Sequence, residues 1–237
     1  MEKIKKSQIF DLSELRNRTH IFLDREEAGK VLASMLAPYR ESDAIVLAIP
    51  AGGLAVAVVI AKELNLTLDL VIVSKITLPW NTEAGYGAVA FDGTVMLNEE
   101  LLPRLHLTSE EIQQGISKTK GKIHRRVKKL RGDRPMPDLW RSIILVDDGL
   151  ASGFTLRTAI EALRKAGSRK IILAIPTAHE ESLQTVAEGV HAVYCPNIRR
   201  GPAFAVADAY EHWRDLDEEE VARLLEDFGK MTPKAAE

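Results

Sequence analysis

Cysteine is all but missing from this chain of 237 residues: Cys195 stands alone, so no internal disulfide can form. Net charge is nearly missing too. With 32 Lys and Arg against 34 Asp and Glu, the formal charge is −2, an ordinary surface balance that argues neither for a chain built as a whole to bind nucleic acid nor for an acidic tail. No apolar run is long enough to span a bilayer, and the charged stretch Met1 to Lys6 is followed by no apolar segment of signal length. Neither membrane insertion nor export is therefore expected, and the cytoplasm is the expected compartment. Internal repeats and low-complexity segments are absent. No Gly-x-Gly-x-x-Gly follows the first strand, which sets aside a dinucleotide-binding protein.

What is present is apolar: 46% of the residues, ample for a core, in a chain whose length fits one domain with appendages. The chain is organised around the stretch Ile143 to Thr155. Four consecutive branched apolar residues, Ile143 to Val146, read as a strand buried on both faces, the kind found in the middle of a parallel sheet. Asp147 and Asp148 mark its carboxyl end. Gly149, Ala151, Ser152 and Gly153 then lead into a helical pattern from about Phe154 to Ala166. Open α/β sheets bind their ligands at such a place.

The remaining elements follow from periodicity and punctuation. Asp24 with Glu27 reads as a capping box that opens a helix from about Arg25 to Ala37. Ala44 to Ile49 is a second buried-strand run, stopped by Pro50-Ala51-Gly52-Gly53 before an apolar helix, Leu54 to Leu64. Leu68 to Val73 reads as a third strand with Lys75 just past its end. Ile76 to Tyr86 holds Pro79, Asn81 and Gly85 without periodicity and reads as a long loop, and Gly87 to Leu97 as a hairpin turned at Asp92-Gly93. Thr108 with Glu111 opens a helix to about Leu130, whose last turns, Lys118 to Arg131, carry Lys and Arg without an acid. A solvated face favoured by the helix dipole accounts for that run more simply than a nucleic-acid surface does. A helix ending at Gly167, a strand Lys170 to Ile175, a helix Glu180 to Glu188, a strand His191 to Cys195 and a helix Asp217 to Phe228 complete the chain. Strands alternating with helices predict an α/β fold with a doubly wound, mainly parallel sheet. One domain over 1–237 is expected, with a helical insertion at 99–140 and a small C-terminal hood and helix at 196–237.

The chemistry of the central stretch follows from what its residues can do. Small side chains let successive backbone N–H groups curl round a phosphate, Ser152 and Thr155 add hydroxyl donors, and the helix N-terminus adds its positive dipole end. Carboxylates repel that phosphate, so Asp147 and Asp148 must face something cationic or hydroxylated. A ribose diol, or a diol shared with Mg²⁺, fits.

This order of apolar strand, two acids, small residues and Gly-x-Thr resembles, over all thirteen residues, the phosphoribosyl-pyrophosphate (PRPP) motif of the type I phosphoribosyltransferases. The resemblance implies an Mg²⁺-dependent, homodimeric cytoplasmic enzyme that moves a phosphoribosyl group from PRPP to a small heterocyclic base or amine. Its fold would add a β-hairpin flexible loop and a hood to the sheet. By position, Asp147 and Asp148 would hold the ribose hydroxyls and the metal, while Ala151, Ser152, Gly153, Phe154 and Thr155 would hold the 5′-phosphate. Ala51, Gly52 and Gly53 match the family's pyrophosphate loop, in which a cis peptide aims N–H groups at the leaving group, so the Pro50–Ala51 bond is expected to be cis. Lys75 would be a second pyrophosphate contact and, with the two acids, a catalytic residue. Ile76 to Tyr86 would be the mobile catalytic loop, with Asn81 and Glu83 as its polar contributors. Ala51 departs from the pattern, because many relatives carry Lys or Arg there.

The acceptor is left open by conflicting clues. The tail Phe204 to Leu216 looks like the hood of the hypoxanthine-guanine enzymes, which places Phe204 and Val206 on the base, with His179 as the nearest proton acceptor. Yet the loop Asp of the 6-oxopurine enzymes is Ala151 here, and their hood lysine has no counterpart in Thr177-Ala178-His179. A flat heterocycle other than a simple 6-oxopurine is therefore expected. Through Phe22 to Gly29, the Pro-x-Gly-Gly loop and the Ala-Val pair of the tail, residues 20 to 228 most resemble an uncharacterised branch of the family. The alternative is a PRPP-sensing regulator that binds nucleic acid through the basic helix 118–131.

Overall fold

The computed structural model describes residues 7–231, so the charged start Met1 to Lys6 and the last residues of the expected hood segment lie outside it. In chain order the elements are β1 (Gln8–Phe10), α1 (Arg25–Met35), β2 (Ile45–Ala48), α2 (Gly52–Leu64), β3 (Thr67–Leu70), β4 (Val73–Leu78), β5 (Asn81–Ala90), β6 (Val95–Leu97), α3 (Leu102–Leu105) and α4 (Ser109–Arg131). They continue as β7 (Ser142–Val146), α5 (Phe154–Lys165), β8 (Lys170–Ala174), β9 (Thr177–His179), α6 (Glu180–Ala187), β10 (Ala192–Tyr194), β11 (Asn197–Arg199) and α7 (Glu218–Met231).

The run Ile143 to Val146 does what its composition demands. β7 lies inside a six-stranded, all-parallel sheet of order β1-β10-β8-β7-β2-β3, and its four apolar residues are fully buried. Alternation divides them between two layers. Ile144 and Val146 join the core shared with α1, α2 and α7, whereas Ile143 and Leu145 join the core shared with α5 and α6. Each such side chain contributes about 1.5–3 kcal/mol on burial, and Leu145→Ala would cost about 2–5 kcal/mol because neither layer can collapse into the gap.

The helix starts are written in short-range chemistry. Thr108 and Glu111 close a capping box in both directions at the head of α4. Asp24 accepts from the Glu26 and Glu27 amides, but the Glu27 carboxylate reaches one residue further back, to the Leu23 amide.

Two stretches differ from expectation. Leu68 to Val73 is not one strand: β3 ends at Leu70 in the parallel sheet, and β4 begins at Val73 in a separate antiparallel sheet, β4-β5-β6. Val71 and Ile72 are buried at the crossing, so no polar residue marks the break. Ile76 to Tyr86 is not a loop either. Most of it forms the β4–β5 hairpin, with Pro79 and Trp80 at the turn and register shifts at Ile76/Thr77 and Thr77/Leu78 that absorb the irregular residues. The Glu83 side chain lies outside the described residues. The hairpin expected at Gly87 to Leu97 is present, with Gly87 opposite Leu97. Edge strand β1 and the pair β9–β11, each three residues long, carry too little pattern to be read from sequence.

Candidate functional site

β2 and β7 are neighbours, with Ala48 opposite Val146, and the strand order runs outward in opposite directions from this pair. Their carboxyl ends therefore flank a topological switch point, where the two turns that follow leave a crevice. After β2 the Pro50–Ala51 peptide is cis, as expected, and α2 begins at Gly52. A Cβ on Gly52 would lie 1.7 Å from Asp148 Oδ2, so only glycine lets this turn come so close to the acid pair. After β7, Gly153 takes φ +72 as the N-cap of α5, and the first residues of that helix line the crevice.

The two acids have different surroundings. Asp148 Oδ2 lies 2.9 Å from both Nε and Nη2 of Arg25, whose side chain is only 9% exposed. Arg25 Nη1 donates to the Arg214 carbonyl at 2.9 Å, and the guanidinium stacks 4.0 Å from the centre of the Trp213 ring. The Tyr210 hydroxyl donates to the Asp148 carbonyl at 2.6 Å. Asp147 has no such cation: its Oδ1 accepts the Asp148 amide at 2.9 Å, and burial, followed by the charge of Asp148, pushes its carboxyl well above the usual range, with Lys75 opposing. One acid is compensated by a fixed guanidinium, and the other is held ready for a cation or a hydroxyl donor.

A cavity of about 410 Å³ lies over this pair. It gathers Ala51, Gly52, Lys75, Asp147, Asp148, Ala151, Ser152, Gly153, Phe154, Thr155 and Val206 of the expected residues. Lys75 reaches it from within β4, not from past a strand end. Gly53 does not line it but packs beneath Asp147, where a Cβ would lie 2.8 Å from the Asp147 Cα. Phe204 and His179 do not line it either. Their rings meet edge-on at 5.8 Å, the Arg199 guanidinium sits 4.9 Å from the Phe204 ring, and His179 Nε2 is 3.2 Å from the Gly201 carbonyl. In their place the cavity holds Arg25, Trp213 and Asp215, which sequence reasoning missed. In the sequence Arg25 stands at the start of a capped helix and inside the Phe22 to Gly29 stretch that carries the branch resemblance, with no role of its own, and the expected aromatic of the tail is Phe204. No signal in the sequence brings position 25 to position 148.

The basic run of α4 is not one surface. Arg131 is buried, paired with Asp69 at 3.1 Å and donating to the Leu70 carbonyl, and burial pulls its pKa below the ordinary value. Among the described residues no cluster of three or more His, Cys, Asp or Glu would hold a metal on protein ligands alone. Two carboxylates, one of them uncompensated, suit an Mg²⁺ that takes its other oxygens from a phosphorylated substrate and water. No helix among the described residues is long and apolar enough to cross a membrane.

Comparison with known proteins points the same way as the geometry. Residues 108–207 match the model of the phosphoribosyl transferase domain. Proteins of the H37Rv and CDC 1551 strains of Mycobacterium tuberculosis, provisionally named phosphoribosyl transferases, are each 32% identical over 209 residues, covering 87% of this chain. The chain spans about half of their length, 46%. The crystal structure of TT1426 from Thermus thermophilus is 29% identical and superposes with a TM-score of 0.70 over 87% of this chain and 98% of that one.

Proposed function

The chain belongs to the type I phosphoribosyltransferase family by the domain it carries, and on that premise we propose that it transfers the 5-phosphoribosyl group of PRPP to a nitrogenous heterocycle or amine, releasing pyrophosphate. The observation that carries this reading is the meeting, in one cavity at a switch point, of an acid pair, a small-residue turn on a helix N-terminus, a second glycine turn and a lysine. Nothing else in the fold calls for that combination.

In this reading Asp147 and Asp148 accept hydrogen bonds from the ribose hydroxyls, with Arg25 pairing with Asp148 and aiming it. The amides of 151–155, the hydroxyls of Ser152 and Thr155 and the α5 dipole hold the 5′-phosphate. As the bond from C1 to the pyrophosphate oxygen breaks, positive charge develops on the sugar and negative charge on the leaving group. The amides of Ala51 and Gly52 and the Lys75 ammonium stabilise the leaving group without having to reorganise. Mg²⁺, bound through the acid pair and the pyrophosphate, would add further positive charge there. The acceptor enters from the hood side, between Val206 and Trp213, where Asp215 is the cavity acid nearest in kind to the loop carboxylate that Ala151 lacks. An acceptor presenting an N–H to Asp215 suits this arrangement better than one that depends on a loop acid. The family resemblance also suggests a homodimer and a cytoplasmic setting.

The decisive experiment is a panel of nucleobases and amines with PRPP and Mg²⁺, scored for pyrophosphate release. Release with at least one acceptor, lost in Asp147→Asn, is the expected result. Absence of both release and PRPP binding would overturn the reading. The regulator alternative loses ground because the basic run 118–131 is divided among a buried pair, ion pairs to Glu218 and exposed positions.

A further inference from the structure

The pyrophosphate end of the cavity has a wall outside the family's motifs. A recess of about 360 Å³ shares Ala51, Gly52, Lys75, Asp147, Asp148 and Thr155 with the main cavity and is lined in addition by Lys122 and Arg126, which the main cavity lacks. Lys122 and Arg126 are four residues apart on α4, so they project from one face of that helix, which packs against β4. Neighbouring Lys118, Lys120 and Lys128 do not line the recess.

Arg126 is poorly provided for where it sits. Its side chain is only 12% exposed, and its buried Nε lies 3.1 Å from Glu218 Oε1 without hydrogen-bond alignment. Its Nη1 meets Ser74 Oγ at a long 3.4 Å. A guanidinium withdrawn from water normally finds well-aligned acceptors, and one left short of them facing a polar recess is set up for an anion with several oxygens. Across the recess, Ala51 brings no charge to the turn that would hold the leaving group.

We propose that Lys122 and Arg126 form the cationic wall of the pyrophosphate subsite, supplying from the long helix the charge that the Ala51 turn lacks. This rests on the reading of the cavity as a PRPP site. Glu218, at the head of α7, competes for Arg126 and sets how much of its charge is available to the ligand.

Calorimetric titration of the full chain with PRPP, with pyrophosphate (both with Mg²⁺) and with ribose 5-phosphate tests the assignment. Lys122→Ala and Arg126→Gln should each weaken pyrophosphate and PRPP binding by about 10-fold or more, the scale of a charge-assisted contact, and leave ribose 5-phosphate unaffected. Lys128→Ala, an exposed lysine of the same helix, should change all three by less than about twofold, and Glu218→Gln should tighten pyrophosphate. If Arg126→Gln melts early, Lys122→Ala carries the test, since that side chain is exposed. A parent chain that binds PRPP and pyrophosphate, with a Lys122→Ala, Arg126→Gln double variant that binds them equally well, would overturn the wall alone. So would a loss in Lys128→Ala as large as in Lys122→Ala. A parent chain that binds neither ligand would overturn the PRPP reading and this one together.

Discussion

Asp147 and Asp148 are adjacent and chemically identical, yet the structure gives them opposite effects on stability. Asp148 balances a guanidinium that is nearly withdrawn from water, so Asp148→Asn leaves Arg25 short of charge. The cost should be on the order of 2 kcal/mol, between the values for exposed and buried pairs. Asp147 is the reverse case. Its pKa is raised in the fold, so the folded chain holds this proton more tightly than the unfolded chain does. Stability from this group is full below the ordinary carboxylate value of about 3.9 and falls as pH rises from there toward the raised value. Asp147→Asn removes that decline. It should melt at or above the parent temperature at neutral pH, with the difference shrinking toward about pH 4. Both variants should lose PRPP affinity. Thermal melts across this pH range, beside a PRPP titration, check the contrast, and it fails if Asp147→Asn proves the less stable of the two. Two adjacent acids at a strand end are legible as a candidate ligand site, but their asymmetry is not, because it comes from a residue 123 positions away.

Among the elements, those with local signals were readable and those defined by their partners were not. β2, β7 and β8 announced themselves as branched apolar runs, and α4 by its capping box. β4 and β5 hid in a stretch of Pro79, Asn81 and Gly85 because an antiparallel hairpin tolerates such residues at its turn and at register shifts, a tolerance that depends on the partner strand. The split between β3 and β4 was invisible because each side of it is buried in a different sheet. α4 positions Lys122 and Arg126, so its cap matters to the site as well as to the helix. Thr108→Ala removes a side-chain acceptor for the Glu111 amide, which should cost about 1 kcal/mol and lower the melting temperature by roughly 2–4 °C in a chain of this size. An unchanged melt would mean that tertiary packing alone holds the start of α4.

For the whole molecule, the two halves of the cavity come from parts of the chain that fold for different reasons. The half proposed to hold PRPP is the carboxyl edge of the sheet and follows from its topology. The half proposed for the acceptor belongs to the C-terminal hood segment, which is fastened by the amides of Glu211 and His212 donating to the carbonyls of Phe22 and Leu23, and by the Tyr210 hydroxyl on the Asp148 carbonyl. Hood, head of α1 and acid pair are therefore one connected unit, with Arg25 stacked on Trp213 at its centre. Trp213 lines the cavity while Phe204 packs against His179 and Arg199, so under the proposed function the aromatic platform is Trp213 and not Phe204. Trp213→Ala should weaken the acceptor found in the pyrophosphate-release panel by ~1–3 kcal/mol, the range for a base stacked on an aromatic ring. Trp213→Phe should fall between it and the parent, because a smaller ring still covers Arg25. Phe204→Ala should stay within ~0.5 kcal/mol, as expected of a side chain outside the cavity. Acceptor titration at saturating PRPP separates the two aromatics, and a large loss in Phe204→Ala with none in Trp213→Ala would place the acceptor on the Phe204–His179 side of the hood.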